Sequence, residues 1–166
     1  MQQTVLNASP TAVISHHHFA EVRLNPVTKQ KSLYAITAFN PGDIICNFKA
    51  GQNFSEPNYL TVQTGVDKHI TLQPEFLQYI NHSCTPNAFF NTTSMQLVCI
   101  KDIVVGEEFS FFYPSTEWQM AQSFFCYCGA TDCLQNIRGA KFLTQEQINK
   151  YTFTDFINSL LQPTVL

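Results

Sequence analysis

Within "FCYCGATDC", residues 125–133, three cysteines fall in eight positions, and no other stretch constrains the fold so tightly. Cys126 and Cys128 have one residue between them, so on a straight strand both side chains point to the same face. Along such a strand they sit too far apart to share one atom without a bend. Gly129 follows and tolerates positive φ, so Cys126, Cys128 and Cys133 read as arranged to converge. Three thiolates leave a closed tetrahedral zinc site one ligand short, and a fourth donor has to come from elsewhere. The alternatives are a redox pair or plain core thiols at Cys126 and Cys128.

A chain of 166 residues can bury a core without disulfides and reads as one domain. Hydrophobic residues make up 45% and charged ones 13%, which argues for a packed body and against disorder. The net charge of −3 excludes the polycationic footprint of a nucleic-acid binder, so no direct nucleic-acid binding is expected. No apolar run is long enough to span a bilayer, and "MQQTVLNASP" carries no basic-then-apolar targeting signal. The expected location is therefore inside a cell, cytoplasmic or nuclear, where thiols stay reduced and clustered cysteines more often bind metal.

Short apolar segments separated by turn signals predict a mainly β fold with some α. "TAVISHHHFAEVRL" runs to Asn25-Pro26, and "SLYAITAF" runs to Asn40-Pro41-Gly42-Asp43 before "IICNF" resumes a strand. "NYLTVQ" and "KHITL" are further strands, and "EFLQYI" is either one helical turn or the start of a loop. "NAFFN" and "MQLVCI" flank polar "NTTS" and suggest a hairpin; "EEFSFFY" is another strand. From "STEWQMAQSFF" onward the pattern turns helical, with Ser115 or Thr116 as N-cap and Glu117 in the first turn. "TQEQINKYTFTDFINSLLQ" places Ile148, Tyr151, Phe156 and Leu160 near a 3.6 period and predicts one amphipathic helix over about 144–161.

The remaining thiols differ in setting. Cys46 and Cys99 lie in apolar strands, where a buried free thiol is ordinary core material. His16, His17 and His18 are consecutive, point in different directions, and read as surface or strand residues. Cys84 lies in "YINHSCTPNAFF", where Asn81, His82, Ser83 and Asn87 are too hydrophilic for a core and too dense for a plain turn.

"INHSCTPN", then "GEEFSFFY", then the Cys-x-Cys-x4-Cys tail resembles the SET-domain protein lysine methyltransferases with a post-SET zinc motif, over about 32–143. The resemblance implies a SET fold with a pseudoknot, in which the segment carrying the catalytic tyrosine threads the Asn-His loop. It implies a SET region at 1–113, a post-SET zinc segment at 114–143 and a C-terminal helix at 144–166. It supplies the missing donor: Cys84, Cys126, Cys128 and Cys133 would share one structural zinc that builds a wall of the active site. The implied cofactor is S-adenosylmethionine, and the implied partner is a lysine-bearing protein or peptide, histone or not.

By the same resemblance Tyr113 is the catalytic tyrosine and Phe111 the position that governs room for higher methylation states. Tyr59 is the second channel tyrosine, and Phe124 either covers the channel or is an ordinary core residue. Asn81 and His82 are the cofactor-binding pair, joined by Ser32 and Tyr34, and Tyr127 either flanks the adenine or is simply exposed. The family's Gly-x-Gly is replaced here by Gln30 and Ser32, side chains that narrow the cofactor pocket. Phe112 stands where Asp is common and is expected to face away from Tyr113; the arginine common before "INHSC" is absent. Two rival readings follow: a SET-fold module that binds peptide with little catalysis, and an unrelated zinc-binding adaptor. The tail helix is expected to cover the active-site wall or to meet a second copy in a homodimer.

Overall fold

An antiparallel meander opens the chain: β1 (Ala12–His16), β2 (Ala20–Leu24) and β3 (Lys31–Ala35), paired in that order. The computed structural model describes residues 11–162. Residues 1–10, where no targeting signal reads, and 163–166, the end of the expected tail helix, lie outside the described residues. Asn25 makes the β2–β3 turn: its Oδ1 accepts from the amides of Val27 at 2.9 Å and Thr28 at 3.1 Å, the local bond that suits asparagine to turns. The three histidines diverge as expected. His16 is exposed and faces Glu21, His17 stacks on Phe76 at 3.9 Å, and His18 is exposed.

The chain then lays down β4 (Ile44–Asn47), β5 (Lys49–Phe54), β6 (Thr61–Gly65) and β7 (Lys68–Gln73), the last three forming a sheet in the order β5-β7-β6. "EFLQYI" becomes a single 3-10 turn at Glu75–Tyr79, leading into β8 (Asn81–His82). β9 (Ala88–Asn91) and β10 (Gln96–Cys99) make the expected hairpin, in register from Gln96↔Asn91 to Cys99↔Ala88, and β4 pairs with the other side of β10. Alternate residues of this hairpin point inward, so Ala88, Phe90, Leu97 and Cys99 are buried with Leu33 and Phe109. Phe19, Phe39 and Phe109 meet at ring-centroid separations of 5.9–6.1 Å in the same core. Burying each of these large apolar side chains contributes about 1.5–3 kcal/mol.

β11 (Ser110–Phe111) pairs in parallel with β8, setting Ser110 opposite Asn81 and Phe111 opposite His82. Both limbs of the 81–87 loop hold this segment. The Ser83 amide donates to the Phe111 carbonyl, the Asn87 amide to the Ser110 carbonyl, and the Asn87 side chain bonds the Ser110 amide and the Glu108 carbonyl. This is the arrangement that the pseudoknot expectation requires.

The helical expectation for "STEWQMAQSFF" does not hold. Only a 3-10 turn at Tyr113–Ser115 forms, started by Pro114 in its first turn. Beyond it the backbone bonds other segments instead of itself. The Ala140 amide donates to the Glu117 carbonyl, the Lys141 amide to the Trp118 carbonyl, and the Met120 amide to the Arg138 carbonyl. β12 (Phe124–Phe125) and β13 (Asn136–Ile137) then pair antiparallel. Gly139 has φ +113, and a Cβ there would lie 2.6 Å from the Trp118 carbonyl oxygen, so this close approach requires glycine.

The expected single tail helix is two. After a 3-10 turn at Ala140–Phe142, α1 (Gln145–Ile148) and α2 (Asp155–Leu161) are separated by residues 149–154. Each has its own N-cap: Thr144 forms a capping box with Gln147, and the Thr154 hydroxyl accepts from the Ile157 amide. Between them Tyr151 lies flat on Phe112, centroids 3.7 Å apart and planes 7° apart, and its hydroxyl donates to the Cys84 carbonyl at 3.0 Å. Phe153 and Ile157 are the buried anchors of this segment, not the spaced set that the period suggested. No helix among the described residues is long and apolar enough to cross a membrane.

Candidate active site

Tyr113 ends the β11 segment and is held from two sides. Its amide donates to His82 Nδ1 at 3.1 Å, and its hydroxyl donates to the Ile80 carbonyl at 3.3 Å. Burial, with the nearby Glu108 carboxylate adding, pushes the phenol up to about 12, so it stays protonated at neutral pH. Because His82 Nδ1 accepts, its proton sits on Nε2, which points at Cys84 Sγ at 3.4 Å. Burial brings His82 down to about 4 and keeps the ring neutral.

The Tyr113 ring borders a cavity of about 600 Å³. Phe111 sits 4.7 Å from Tyr113 and lines it, Phe124 sits 5.9 Å away and lines it, and Tyr59 lines it from the β5–β6 connection with 89% of its surface exposed. Leu72, Leu77 and Ile80 make most of the remaining wall apolar. The structure thus brings Tyr113, Phe111, Tyr59 and Phe124 together. Phe112 turns the opposite way, as expected, and packs on Tyr151 and Phe153.

A polar cluster lies on the other side of the β8–β11 pair. Asn81 Nδ2 reaches the Lys31 carbonyl at 3.2 Å, Ser32 Oγ at 2.8 Å and Glu108 Oε1 at 2.9 Å. Tyr34 donates to Glu108 Oε2 at 3.4 Å and lies under the Arg23 guanidinium at 4.1 Å. Burial and the Glu108 charge raise the Tyr34 phenol. Gln30 joins by donating to Asn81 Oδ1 at 3.5 Å, so both side chains standing in place of glycines bond Asn81. Tyr127 lies apart from both groups, 87% exposed, with Phe125 its one aromatic neighbour among the described residues, at 4.9 Å.

The sulfurs of Cys84, Cys126, Cys128 and Cys133 all lie within 4.8 Å of one another. A tetrahedral site with Zn–S bonds near 2.3 Å separates its sulfurs by about 3.8 Å, and Cys84 and Cys133 stand 3.9 Å apart. Gly129 turns the chain at φ +76 to achieve this. Amides of Leu134 and Gln135 donate to the sulfurs of Cys84 and Cys133 at 3.4 Å. Burial pushes Cys126 up to about 11 and Cys84 further. At Cys128 burial also pushes upward, but the amides of Ala130 and Cys84, with the thiols of Cys126 and Cys133, outweigh it and bring the thiol down to about 6. Four convergent thiols with no carboxylate or open position fit a closed structural metal site. Cys46 and Cys99 stay outside it, packed in the core.

Four residues have structural roles that the sequence reading did not assign. Thr116 and Glu117 line the cavity, and His69 of β7 stands behind it with its Nδ1 4.0 Å from Glu117 Oε2. Glu117 read as a first-turn acid on a helix that does not form; its only distinguishing signal was a lone charge in the apolar run "FFYPSTEWQM". Tyr151 gave no signal beyond a helical period.

An apolar cavity bordered by a protonated tyrosine thus lies beside a parallel two-strand pairing and a four-thiol cluster. The SET domain family model matches residues 30–114. Methyltransferase flvH of Aspergillus flavus is 31% identical over 149 residues, 89% of this chain and 83% of that one. Two proteins named histone-lysine N-methyltransferase, H3 lysine-36 specific, match over shorter stretches. The one from Schizosaccharomyces pombe is 32% identical over 95 residues, and the one from Saccharomyces cerevisiae is 28% identical over 94. These matches span 54% and 53% of this chain but only 12% and 13% of those relatives. The chain belongs to the SET-domain family of methyltransferases.

Proposed function

We propose that this chain transfers a methyl group from S-adenosylmethionine to the side-chain amine of a lysine in a protein or peptide, histone or not, with a structural zinc on Cys84, Cys126, Cys128 and Cys133 closing one wall of the site. The observation that carries this reading is the Tyr113 hydroxyl at the wall of an apolar cavity, with Phe111 on the same face. In water a lysine amine has a pKa of about 10.4, so only about one in 2,500 is neutral at pH 7. Desolvation by Leu72, Leu77, Ile80 and Phe111 favours the neutral, nucleophilic form. Tyr113 orients the amine through its oxygen, and confinement in the cavity lined by Tyr59 and Phe124 removes much of the entropic barrier. Asn81, Ser32, Tyr34 and Glu108 offer amide, hydroxyl and carboxylate groups that fit a nucleoside bearing an amino-acid group. When bound, that cofactor supplies the electrophilic methyl. Zinc holds the Asn-His loop against the 126–133 segment and so keeps Phe124 beside Tyr113. An intracellular location, cytoplasmic or nuclear, fits such a substrate.

Radiolabel transfer from S-adenosylmethionine onto a lysine-scanning peptide array, read by mass spectrometry for the degree of methylation, tests the proposal. Tyr113→Phe is expected to lower kcat by about 10²–10³, the usual loss for one positioned hydroxyl or amide donor. Transfer at the parent rate refutes the assignment. Asn81 donates to Ser32 and accepts from Gln30, bonds that favour a second reading, a SET-fold module that binds peptide with little catalysis. Calorimetry separates the two, since only the first requires S-adenosylmethionine to bind.

A further inference from the structure

Glu117 and His69 are both almost fully buried, 5% and 4% exposed. Glu117 Oε1 is spoken for, accepting from the Gln63 amide at 3.0 Å and the Thr116 hydroxyl at 3.3 Å. Its second oxygen, Oε2, makes no hydrogen bond among the described residues. His69 Nδ1 stands 4.0 Å from it, and that nitrogen is itself buried and without a partner. Buried polar groups are nearly always paired, so an unpartnered His69 Nδ1 facing a carboxylate oxygen with no hydrogen bond calls for a ligand or a function. Glu117 lines the same cavity as Tyr113 and Phe111, whose other walls are largely hydrocarbon.

We propose that Glu117 receives the substrate's ammonium inside the cavity and accepts its proton through Oε2, with His69 as the positioning residue behind it. The inference rests on the lysine-amine reading above. The step is a proton transfer: an N–H bond of the ammonium breaks, an O–H bond forms at Oε2, and the freed nitrogen lone pair becomes available for attack on a methyl group. No oxidant or further reactant is needed, and Glu117 returns its proton to water between turnovers. Such transfer works best when donor and acceptor have similar pKa values. Burial lowers a lysine amine, while burial raises Glu117 to about 8 against the opposing bonds from Gln63 and Thr116. The groups that face Glu117 are His69 of β7, Gln63 of β6 and Thr116 beside it; Glu56 and Asp67 act on His69 from further off.

The test uses the full zinc-loaded chain and n-butylamine as a free stand-in for a lysine side chain, with binding followed by NMR at pH 9. Glu117→Gln keeps an acceptor for the Gln63 amide but carries no charge, and is expected to bind n-butylamine about ten- to a hundredfold more weakly. In the parent, affinity is expected to rise as pH passes about 8, and the variant lacks that rise. With 13C-labelled glutamate, the bound amine is expected to leave the Glu117 carboxyl protonated. Equal affinity in parent and variant, or an ionised Glu117 beside bound amine, overturns the proposal. If Glu117→Gln melts, Glu117→Asp carries the test: weakened binding supports the assignment and unchanged binding overturns it. Amine binding needs no cofactor. A chain that binds n-butylamine through Glu117 but never transfers methyl therefore sinks the methyltransferase reading alone, and normal transfer with unaltered binding sinks only this one.

Discussion

Cys84→Ala is the sharpest perturbation of the thiol cluster, and Cys99→Ala is its natural control. Both thiols are buried, Cys84 at 3% and Cys99 at 0% exposure, so both variants lose a comparable packing contribution. Only Cys84 belongs to the four-sulfur group, and it is the one member that reaches the cluster from outside residues 126–133. A structural zinc contributes on the order of 10–16 kcal/mol of apparent binding energy. One ligand of four then accounts for about 3–4 kcal/mol, or about 10²–10³ in zinc affinity. The Tyr151 hydroxyl bonds the Cys84 carbonyl, not its sulfur, so the alanine variant keeps that tie and the loss reports the metal. At saturating zinc, 3 kcal/mol lowers Tm by about 6–12 °C in a chain of this size. Competition against a chromophoric chelator gives the affinity, and scanning calorimetry gives the melting. Cys84→Ala and Cys99→Ala with the same zinc affinity, or a parent chain that takes up no stoichiometric zinc, would show that the four thiols are core material.

Gly139→Ala is expected to cost several kcal/mol, because φ +113 disfavours any side chain and its Cβ meets the Trp118 carbonyl at 2.6 Å; a Tm within 2 °C of the parent contradicts this. Tyr151→Phe keeps the stack on Phe112 but loses the bond to the Cys84 carbonyl, which lowers Tm by about 2–4 °C for about 1 kcal/mol lost. Glu117 holds its proton more tightly folded than unfolded, with its carboxyl raised from 4.5 to about 8. Its contribution to stability is therefore full below pH 4.5 and is lost as pH rises to about 8. Urea unfolding of the parent should weaken by a few kcal/mol across that window, and Glu117→Gln should flatten the slope; parallel profiles refute the burial argument.

The sequence disclosed what local chemistry controls. The β9–β10 hairpin followed from alternation on either side of "NTTS", the Asn25 turn from its side chain, and the convergence of Cys126, Cys128 and Cys133 from spacing and Gly129. Cys84 as the fourth sulfur came from a family resemblance, since nothing local links residue 84 to residue 126. The helical misreadings share one cause. In "STEWQMAQSFF" and around Tyr151, the bonds that set the backbone run to residues far along the chain, Arg138 to Lys141 in one case and Cys84 in the other. Periodicity has no access to such partners. The tail also carried two N-cap signals, Thr144 with Gln147 and Thr154 before Asp155, which local rules could have used to split it. Glu117 was hidden for the opposite reason: an acid beside a proline turn looks like a solvated cap until its neighbours fold over it.

The parallel pairing of β8 with β11 has a bearing on how the molecule is born. Its partners stand 29 positions apart along the chain, Ser110 against Asn81 and Phe111 against His82, and the clasp that follows draws Cys133 back to Cys84. Contacts so distant along the polymer form slowly. On a translating ribosome the tyrosine-bordered chamber lacks its last wall until Phe124 has cleared the exit tunnel, so half-made chains expose its greasy lining.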